Sequence, residues 1–393
     1  MTTSLSLLTF STLYPNAEQP NHGVFVENRI RHLVASGEAA TEIVAPVPFF
    51  PSTWPCFGSW ARYARIPSSE QRHGLTIHHP CFPVVPKLGM PVAPLLLYRA
   101  TLPLLRRLMR ARRIDAIDAH YMYPDGVAAV WLGQKLGLPV VVTCRGTDVN
   151  LIPRYCIPRR LIQGAIAGAA ALITVSAALR EAVLDLGAPA DKVTVLRNGV
   201  DTRLFAPAAD RDGLRAKLRL TNLTLISVGH LIERKGHHLV IEALQLLPDW
   251  HALIVGDGPE RHRLTGLIQS LGLSGRVRLL GARPHAELPA LYGAADALVL
   301  ASSREGWANV LLEAMACGTP VVATNIWGNP EVVRAPEAGV VVERNPAAIA
   351  EGIRGLWANR PDRAATRAYA QQFGWDETTA GQLTLFRRVV APT

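Results

Sequence analysis

Two successive series of alternating strand-like and helix-like segments predict an α/β protein made of two parallel-sheet domains. Three observations carry that expectation. The chain has 393 residues, enough for two domains. Short apolar runs recur between longer segments of helical period, as in repeated βα units. The stretch Arg197 to Pro207, RNGVDTRLFAP, interrupts the pattern with Asn-Gly and Pro, and a fresh series starts at Leu223.

In the first series Ser4 to Phe10 reads as a strand, residues 11–23 (STLYPNAEQPNHG) as a polar loop and Val24 to Ser36 as a helix. Thr41 to Pro46 reads as a second strand. Residues 47–100 are irregular and rich in Pro and aromatics, with a short strand near Leu75 to His79. Leu96 to Arg113 reads as a basic amphipathic helix, which suits either an anionic membrane surface or an ordinary surface helix packed on its sheet. Regular alternation follows: strand Ile114–Ala119, helix Val127–Leu136, strand Val140–Thr143, helix Arg159–Ala170, strand Leu172–Val175, helix Ala177–Leu186 and strand Lys192–Leu196. The second series has strands at 223–228, 251–255, 277–280, 297–300, 320–323 and 340–342, with helices at 236–247, 259–271, 286–292, 308–316 and 346–357. After a break at Phe373-Gly-Trp, the last segment reads as a helix. The expected division is residues 1–203 with 376–393 and residues 204–375, and two sheets of similar size imply a cleft between them.

Composition narrows the function classes. Hydrophobic residues make up 49% and charged residues 18%, as in a packed globular protein and unlike a disordered one. No apolar run reaches membrane-spanning length, and the first residues lack the positive region of a signal peptide, so a cytoplasmic protein is expected. Five scattered cysteines without a CxxC pair fit reduced thiols better than a disulfide framework or a zinc site. The net charge of +10 is uneven: residues 1–203 hold 21 Lys and Arg against 13 Asp and Glu, and residues 204–393 hold 20 against 18. A basic amino half points to an anionic partner, although an Arg-rich proteome would give the same balance.

Three stretches carry candidate chemistry. ASSREGWANVLLEAMACGTPVV, residues 301–322, places Glu305 before a helix and Glu313 two turns into it, between two strands. The amides of residues 306–309 would open that helix, free to face an anion or sugar hydroxyls. In GHLIERKG, residues 229–236, Arg234 and Lys235 follow a strand and suit a diphosphate. Gly256 and Gly258 of GDGP follow the next strand and allow a ligand or a loop to approach the backbone; the stretch is not a dinucleotide fingerprint. In the first half, His120 and the loop Arg145-Gly-Thr-Asp148 end neighbouring strands. A histidine so placed could bond a sugar hydroxyl or a leaving phosphate, or could serve the core edge.

In order, YPN…HGVFVENRI, AHYMYPDG, TCRGTDV, LRNGVDTRLF, VGHLIERKGH, VGDGP and SSREGWANVLLEAMACGTPVV resemble the retaining glycosyltransferases of family 4, and within them the cell-surface polysaccharide transferases such as those of teichuronic acid assembly. The resemblance implies the GT-B fold, with a last helix crossing back to the first domain. It implies that Arg234 and Lys235 hold the donor diphosphate, and that Glu305 holds the transferred sugar. The amides of Gly306, Trp307, Ala308 and Asn309 would meet sugar and phosphate, and Glu313 the ribose. Gly23 would let its loop close on the phosphates, and His120 would contact the donor sugar. Arg145 and Asp148 would lie on the acceptor side. Where the family commonly has Arg, this chain has His230, which shifts the phosphate work towards Arg234 and Lys235. No metal or other cofactor is implied, the substrate being a nucleotide sugar such as a UDP- or GDP-sugar. The implied acceptor is lipid-linked or a saccharide, with peripheral attachment to the cell membrane. The rival readings are a sugar-nucleotide epimerase or a phosphorylase of the same fold, and a non-catalytic protein binding membrane or nucleic acid. The chain lacks an aromatic–basic nucleic-acid motif.

Overall fold

A computed structural model of the chain describes residues 4–84 and 89–391. The chain divides into two compact units, residues 1–197 with 376–393 and residues 198–375. The change of unit falls at Arg197/Asn198, six residues before the point that the Asn-Gly and Pro signals suggest. No helix of the described residues is long and apolar enough to cross a membrane.

The first unit contains strands β1 (Leu5–Phe10), β2 (Ala39–Val44), β3 (Val47–Pro48), β4 (Ser69–Arg72), β5 (Leu75–His78), β6 (Cys81–Phe82), β7 (Ala116–His120), β8 (Val140–Cys144), β9 (Ala171–Thr174) and β10 (Val193–Val195). Eight of them form one sheet in the order β10-β9-β8-β7-β1-β2-β5-β4, while β3 and β6 pair separately. All pairs are parallel except the edge hairpin β4–β5. The strands are continuous apolar runs because helices cover both faces of a parallel sheet. One face packs Leu5, Leu7, Val141 and Ile173 against Leu383, Leu385 and Phe386 of the helix Asp376–Val390. The last helix therefore belongs to the first unit.

The second unit contains β11 (Leu223–Val228), β12 (Trp250–Val255), β13 (Val277–Gly281), β14 (Ala297–Leu300), β15 (Val321–Thr324) and β16 (Gly339–Val342). They form a parallel sheet in the order β13-β12-β11-β14-β15-β16. Among the parallel strands of each sheet the order reverses between β1 and β7 and between β11 and β14. At such a switch point the loops leaving two adjacent strands part to opposite faces and open a crevice, where α/β sheets bind ligands.

The irregular stretch hides more structure than its composition suggests. A helix runs from Gly89 to Ala111, through Pro94 and Pro103, so it starts seven residues before Leu96. Pro94 has no N–H to offer the carbonyl of Met90, and that carbonyl accepts instead from the Tyr123 hydroxyl. The hairpin β4–β5 and the helices Arg211–Leu218 and Arg363–Gln371 were not anticipated. Both helices are mostly polar and are started by an aspartate cap, Asp210 on the amide of Gly213 and Asp362 on those of Ala364 and Ala365.

The fully buried Phe386 ring ties the last helix to the first sheet. Phe386→Ala should cost about 3–5 kcal/mol. Followed by calorimetry, the loss should fall on the transition of the first unit and spare that of the second.

Candidate active site

At the switch point of the second unit, the loop after β11 and the loop after β14 meet. The loop after β11 ends in a turn, Glu233–Lys235, stopped by Gly236 at φ 69°. A Cβ on Gly236 would sit 2.0 Å from the carbonyl oxygen of Ala301, so only glycine lets the two loops approach this closely. The Ser303 amide then donates to the Arg234 carbonyl (2.8 Å), and the Arg234 guanidinium to the Arg304 carbonyl (2.8 Å). These backbone contacts carry Glu305 to the basic turn. Its Oε1 accepts from Lys235 Nζ at 2.5 Å and from Ser302 Oγ at 2.7 Å, and its Oε2 lies 3.9 Å from Arg234. Burial acts to raise the pKa of the Glu305 carboxyl. Lys235 and then Arg234 outweigh it and hold the group below its ordinary value.

Glu313 stands on the helix Asn309–Ala316 and is not a solvated carboxylate. Tyr292 donates its hydroxyl to Oε2 (2.9 Å), and His285 Nε2 lies 3.3 Å from Oε1. Phe205 packs edge-on against His285, at 5.1 Å between ring centres. Of the amides expected to open this helix, that of Asn309 is taken by the Trp307 carbonyl (3.2 Å). Asn198 grips the same loop: its carbonyl accepts from the Trp307 indole (3.0 Å), and its amide lies 3.3 Å from Asn309 Oδ1. Gly306 and Ala308 are buried beside them.

Gly256 and Gly258 serve a loop rather than an open approach to the backbone. A Cβ on Gly256 would meet the Gly229 carbonyl oxygen at 1.8 Å, and one on Gly258 the Leu231 carbonyl oxygen at 2.5 Å. The two loops are also bonded, Leu231 N–H to the Asp257 carbonyl. His230, between them, is exposed.

In the first unit the switch point joins the loops after β1 and β7. Gly23, at φ 73°, opens the helix Val24–Ala35, and its Cα passes so near Leu13 that a Cβ would lie 2.3 Å from that carbonyl oxygen. Thr12 donates its amide (2.7 Å) and its hydroxyl to the buried Asp125, whose pKa burial pushes up to about 7. Three of the residues expected to meet substrate are buried here. The imidazole of His120 has no exposed surface: Arg145 donates to its Nδ1 at 2.8 Å, and Asp118 lies 3.2 Å from its Nε2. Burial, aided by Arg145, lowers the pKa of the ring against the pull of Asp118, so the neutral form is favoured. The ring is thus packed in the core. Arg145 is likewise buried, its guanidinium lying 5.3 Å over the Phe25 ring. The Asp148 carboxylate is spent on the amides of Met122, Arg145 and Gly146. These side chains support the loops because charged groups below a strand end need partners once water is gone.

Sequence reasoning missed Ser302, His285, Tyr292 and Asn198. Asn198 carried a signal as part of the Asn-Gly that marks the boundary, and Ser302 lies in the stretch around Glu305 with no role read for it; His285 and Tyr292 come from segments whose spacing says nothing of Glu313.

A depressed carboxyl pKa adds stability that is present above the unfolded value and lost as pH falls through the folded one. In the native chain Glu305 should therefore make the second unit weaker in acid. Lys235→Ala removes the leading compensation and leaves Arg234 and Ser302 to offset burial, so this contribution should shrink, with the variant losing less stability as pH falls. Melting temperatures of the two proteins and of Glu305→Gln, measured across the acid range, should give three different slopes. Parallel curves for all three would refute the buried ion pair.

Comparison with known proteins agrees with this architecture. Residues 49–204 match the family model described as Glycosyltransferase Family 4, and residues 210–373 that of Glycosyl transferases group 1. The D-inositol 3-phosphate glycosyltransferase 1 of Catenulispora acidiphila is 32% identical over 308 residues, 70% of this chain and 72% of that protein. The putative teichuronic acid biosynthesis glycosyltransferase TuaC of Bacillus subtilis is 27% identical over 360 residues, 89% of this chain and 88% of that protein. Among solved structures, the sucrose-phosphate synthase of Thermosynechococcus elongatus superposes with a TM-score of 0.78 at 20% identity, covering 98% of both chains. Anabaena HepE in complex with UDP superposes with a TM-score of 0.71 at 22% identity, covering 97% of this chain and 98% of that one. The fold is GT-B, and the chain belongs to glycosyltransferase family 4.

Proposed function

We propose that this glycosyltransferase moves a hexosyl group from a nucleoside-diphosphate sugar to a saccharide or lipid-linked acceptor in cell-surface polysaccharide synthesis, with retention at the anomeric carbon. The observation that carries the reading is the buried Glu305 held by Lys235, Arg234 and Ser302 at the switch point of the second unit. In this proposal the two cations face the diphosphate of the donor, and Glu305 orients Lys235 while accepting from hydroxyls of the transferred sugar. The amides of the loop from Gly306 to Ala308 stand at the opening of the helix Asn309–Ala316, where the helix dipole adds to the positive field. Glu313, fixed by Tyr292 and His285, keeps carboxylate lone pairs for the ribose hydroxyls. That a relative is named for teichuronic acid synthesis, and that Anabaena HepE was solved with UDP-glucose, supports a nucleotide-sugar donor and a saccharide product.

Glu305 is a poor nucleophile in this arrangement. Its lowered pKa weakens it, and one oxygen already takes two hydrogen bonds. We therefore favour attack of the acceptor oxygen on the same face of C1 that the diphosphate leaves. The new C1–O bond forms as the old one breaks, and the hydroxyl proton passes to the departing phosphate oxygen. The protein contributes mainly fixed charge against the charge that develops on the leaving group. In this reading no metal takes part, and the rate should survive a chelator.

Lys235→Ala and Glu305→Ala should each lower transfer by about tenfold or more while the protein stays folded. The donor should emerge from a thermal-shift series of UDP- and GDP-sugars, since a ligand that binds the folded state raises the melting temperature. Normal turnover in both variants would overturn the site assignment, and an epimerised free nucleotide sugar as product would overturn transfer.

A further inference from the structure

The second unit holds a cavity of about 440 Å³ that the site described above does not use. It lies at the other edge of the sheet. Trp250 and Ala297 are the first residues of β12 and β14, Pro320 stands just before β15, and Leu356 and Trp357 come from the helix Pro346–Ala358. The volume falls in the small-molecule range of about 300–1,000 Å³. Part of the lining is apolar: Trp250 and Leu356 are buried, and the indoles of Trp250 and Trp357 meet edge to face with ring centres 5.4 Å apart. The rest is charged, with Arg211, Arg360 and Arg363 against Asp296 and Asp362.

The carboxylates do not balance the cations. Asp296 is met by two guanidiniums, Arg211 at 2.6 Å and Arg215 at 3.1 Å. Asp362 turns to the amides of Ala364 and Ala365, where it caps a helix. Arg363 gives its donors to neutral acceptors, the carbonyls of Gly293, Ala295 and Cys317 and the hydroxyl of Thr319. Burial, and after it the charge of Arg211, lowers its pKa to about 10. Arg360 is exposed, and its one partner among the described residues is the Trp357 ring, 4.5 Å from the guanidinium carbon. An anion placed here would relieve the crowding of like charge. A guanidinium forks onto a phosphate, and the indole and Leu356 beside it offer apolar surface to a ring.

Arg363 also leads towards the candidate active site. Its Nη2 donates to Thr319 Oγ1 (2.8 Å), the Thr319 hydroxyl donates to the Tyr292 carbonyl (2.7 Å), and the Tyr292 hydroxyl donates to Glu313 (2.9 Å). Three hydrogen bonds thus join one edge of the sheet to the other.

We propose that this cavity is a second ligand site for a phosphate monoester that carries a ring, and that its occupant weakens the hold of the active site on a nucleotide. The phosphate meets Arg360 and Arg363, and the ring lies against Trp357 and Leu356. A phosphate that draws on Arg363 takes a donor from Thr319 and so loosens the residue that fixes Glu313. A sugar phosphate and a nucleoside monophosphate share this chemistry. The site itself is independent of the glycosyl-transfer reading; its effect on the nucleotide rests on the place which that reading gives to Glu313.

The test is calorimetric titration of the full chain. Glucose 6-phosphate or adenosine 5′-monophosphate should bind, and the tighter of the two names the source. Glucose and inorganic phosphate should each bind at least ~tenfold more weakly than that ligand. Arg360→Gln, which changes an exposed side chain, should weaken the ligand about tenfold. UDP or GDP should bind about fivefold more weakly when the ring-bearing phosphate is present, and by reciprocity the phosphate should lose the same factor when the nucleotide is present. Thr319→Val should remove this coupling and keep the phosphate bound; Tyr292→Phe gives the same reading if Thr319→Val does not fold, as melting curves would show. Failure of both ring-bearing phosphates to bind, binding no tighter than that of inorganic phosphate, or binding that Arg360→Gln leaves intact would each overturn the site. A nucleotide affinity that the bound phosphate leaves unchanged would overturn the link to Glu313. If neither UDP nor GDP binds, the donor reading falls, and the phosphate titrations still decide the cavity.

Discussion

The ion pair between Lys235 and Glu305 is the constraint on which the candidate site of the second unit depends. Its two members stand on loops that leave different strands, and the buried Glu305 carboxylate is held by the cation beside it. A buried carboxylate without its cation is costly, so the pair holds only while both loops keep their places. The places are kept by missing side chains. Gly236 lies against Ala301, and Gly256 and Gly258 lie against the backbone of residues 229–231. Close backbone packing thus precedes the electrostatics, and the electrostatics precede any grip on a diphosphate.

The first unit solves a related problem in a different way. Arg29, Asp118, His120 and Arg145 form a charged group beneath the ends of β7 and β8, deep enough that burial lowers the pKa of Arg29 to about 9 and that of Arg145 to about 10. All four residues are buried. They brace the loops that lead to Gly23 and Asp125, and the polarity read in the sequence as contact with substrate is spent inside the protein. A histidine at a strand end is therefore weak evidence of a contact, since the same position suits a partner for a buried charge.

The strands were legible because a parallel sheet buries both faces, which leaves short, mainly apolar runs such as Leu223–Val228 and Ala297–Leu300 between longer segments of helical period. The basic turn and the two glutamates were legible because loops at the carboxyl ends of strands carry chemistry in this class of fold. The rest escaped for identifiable reasons. The helix Gly89–Ala111 contains two prolines, and the compensation for Pro94 comes from Tyr123, thirty-three residues beyond Met90. The partners of Glu313, Tyr292 and His285, lie on another helix and loop, and a contact of that kind leaves no period in the sequence. The two glycines of GDGP could be read as room for a ligand or for a loop, and only the position of Gly229 decides between them.

The second unit begins and ends at one spot. Val200 donates its amide to the Phe373 carbonyl, Gly199 passes within contact of Gly374, and Trp307 stacks near Phe373 while bonding to Asn198. This unit is an uninterrupted stretch of chain closed on itself, whereas the first sheet lacks Leu383, Leu385 and Phe386 until the last helix has been made. Synthesis proceeds from the amino end, and domains fold as units once their residues have emerged. The order of maturation is therefore inverted: the unit that comes second in the chain can complete its core first, and the unit translated first must wait for the helix Asp376–Val390 to cover its sheet.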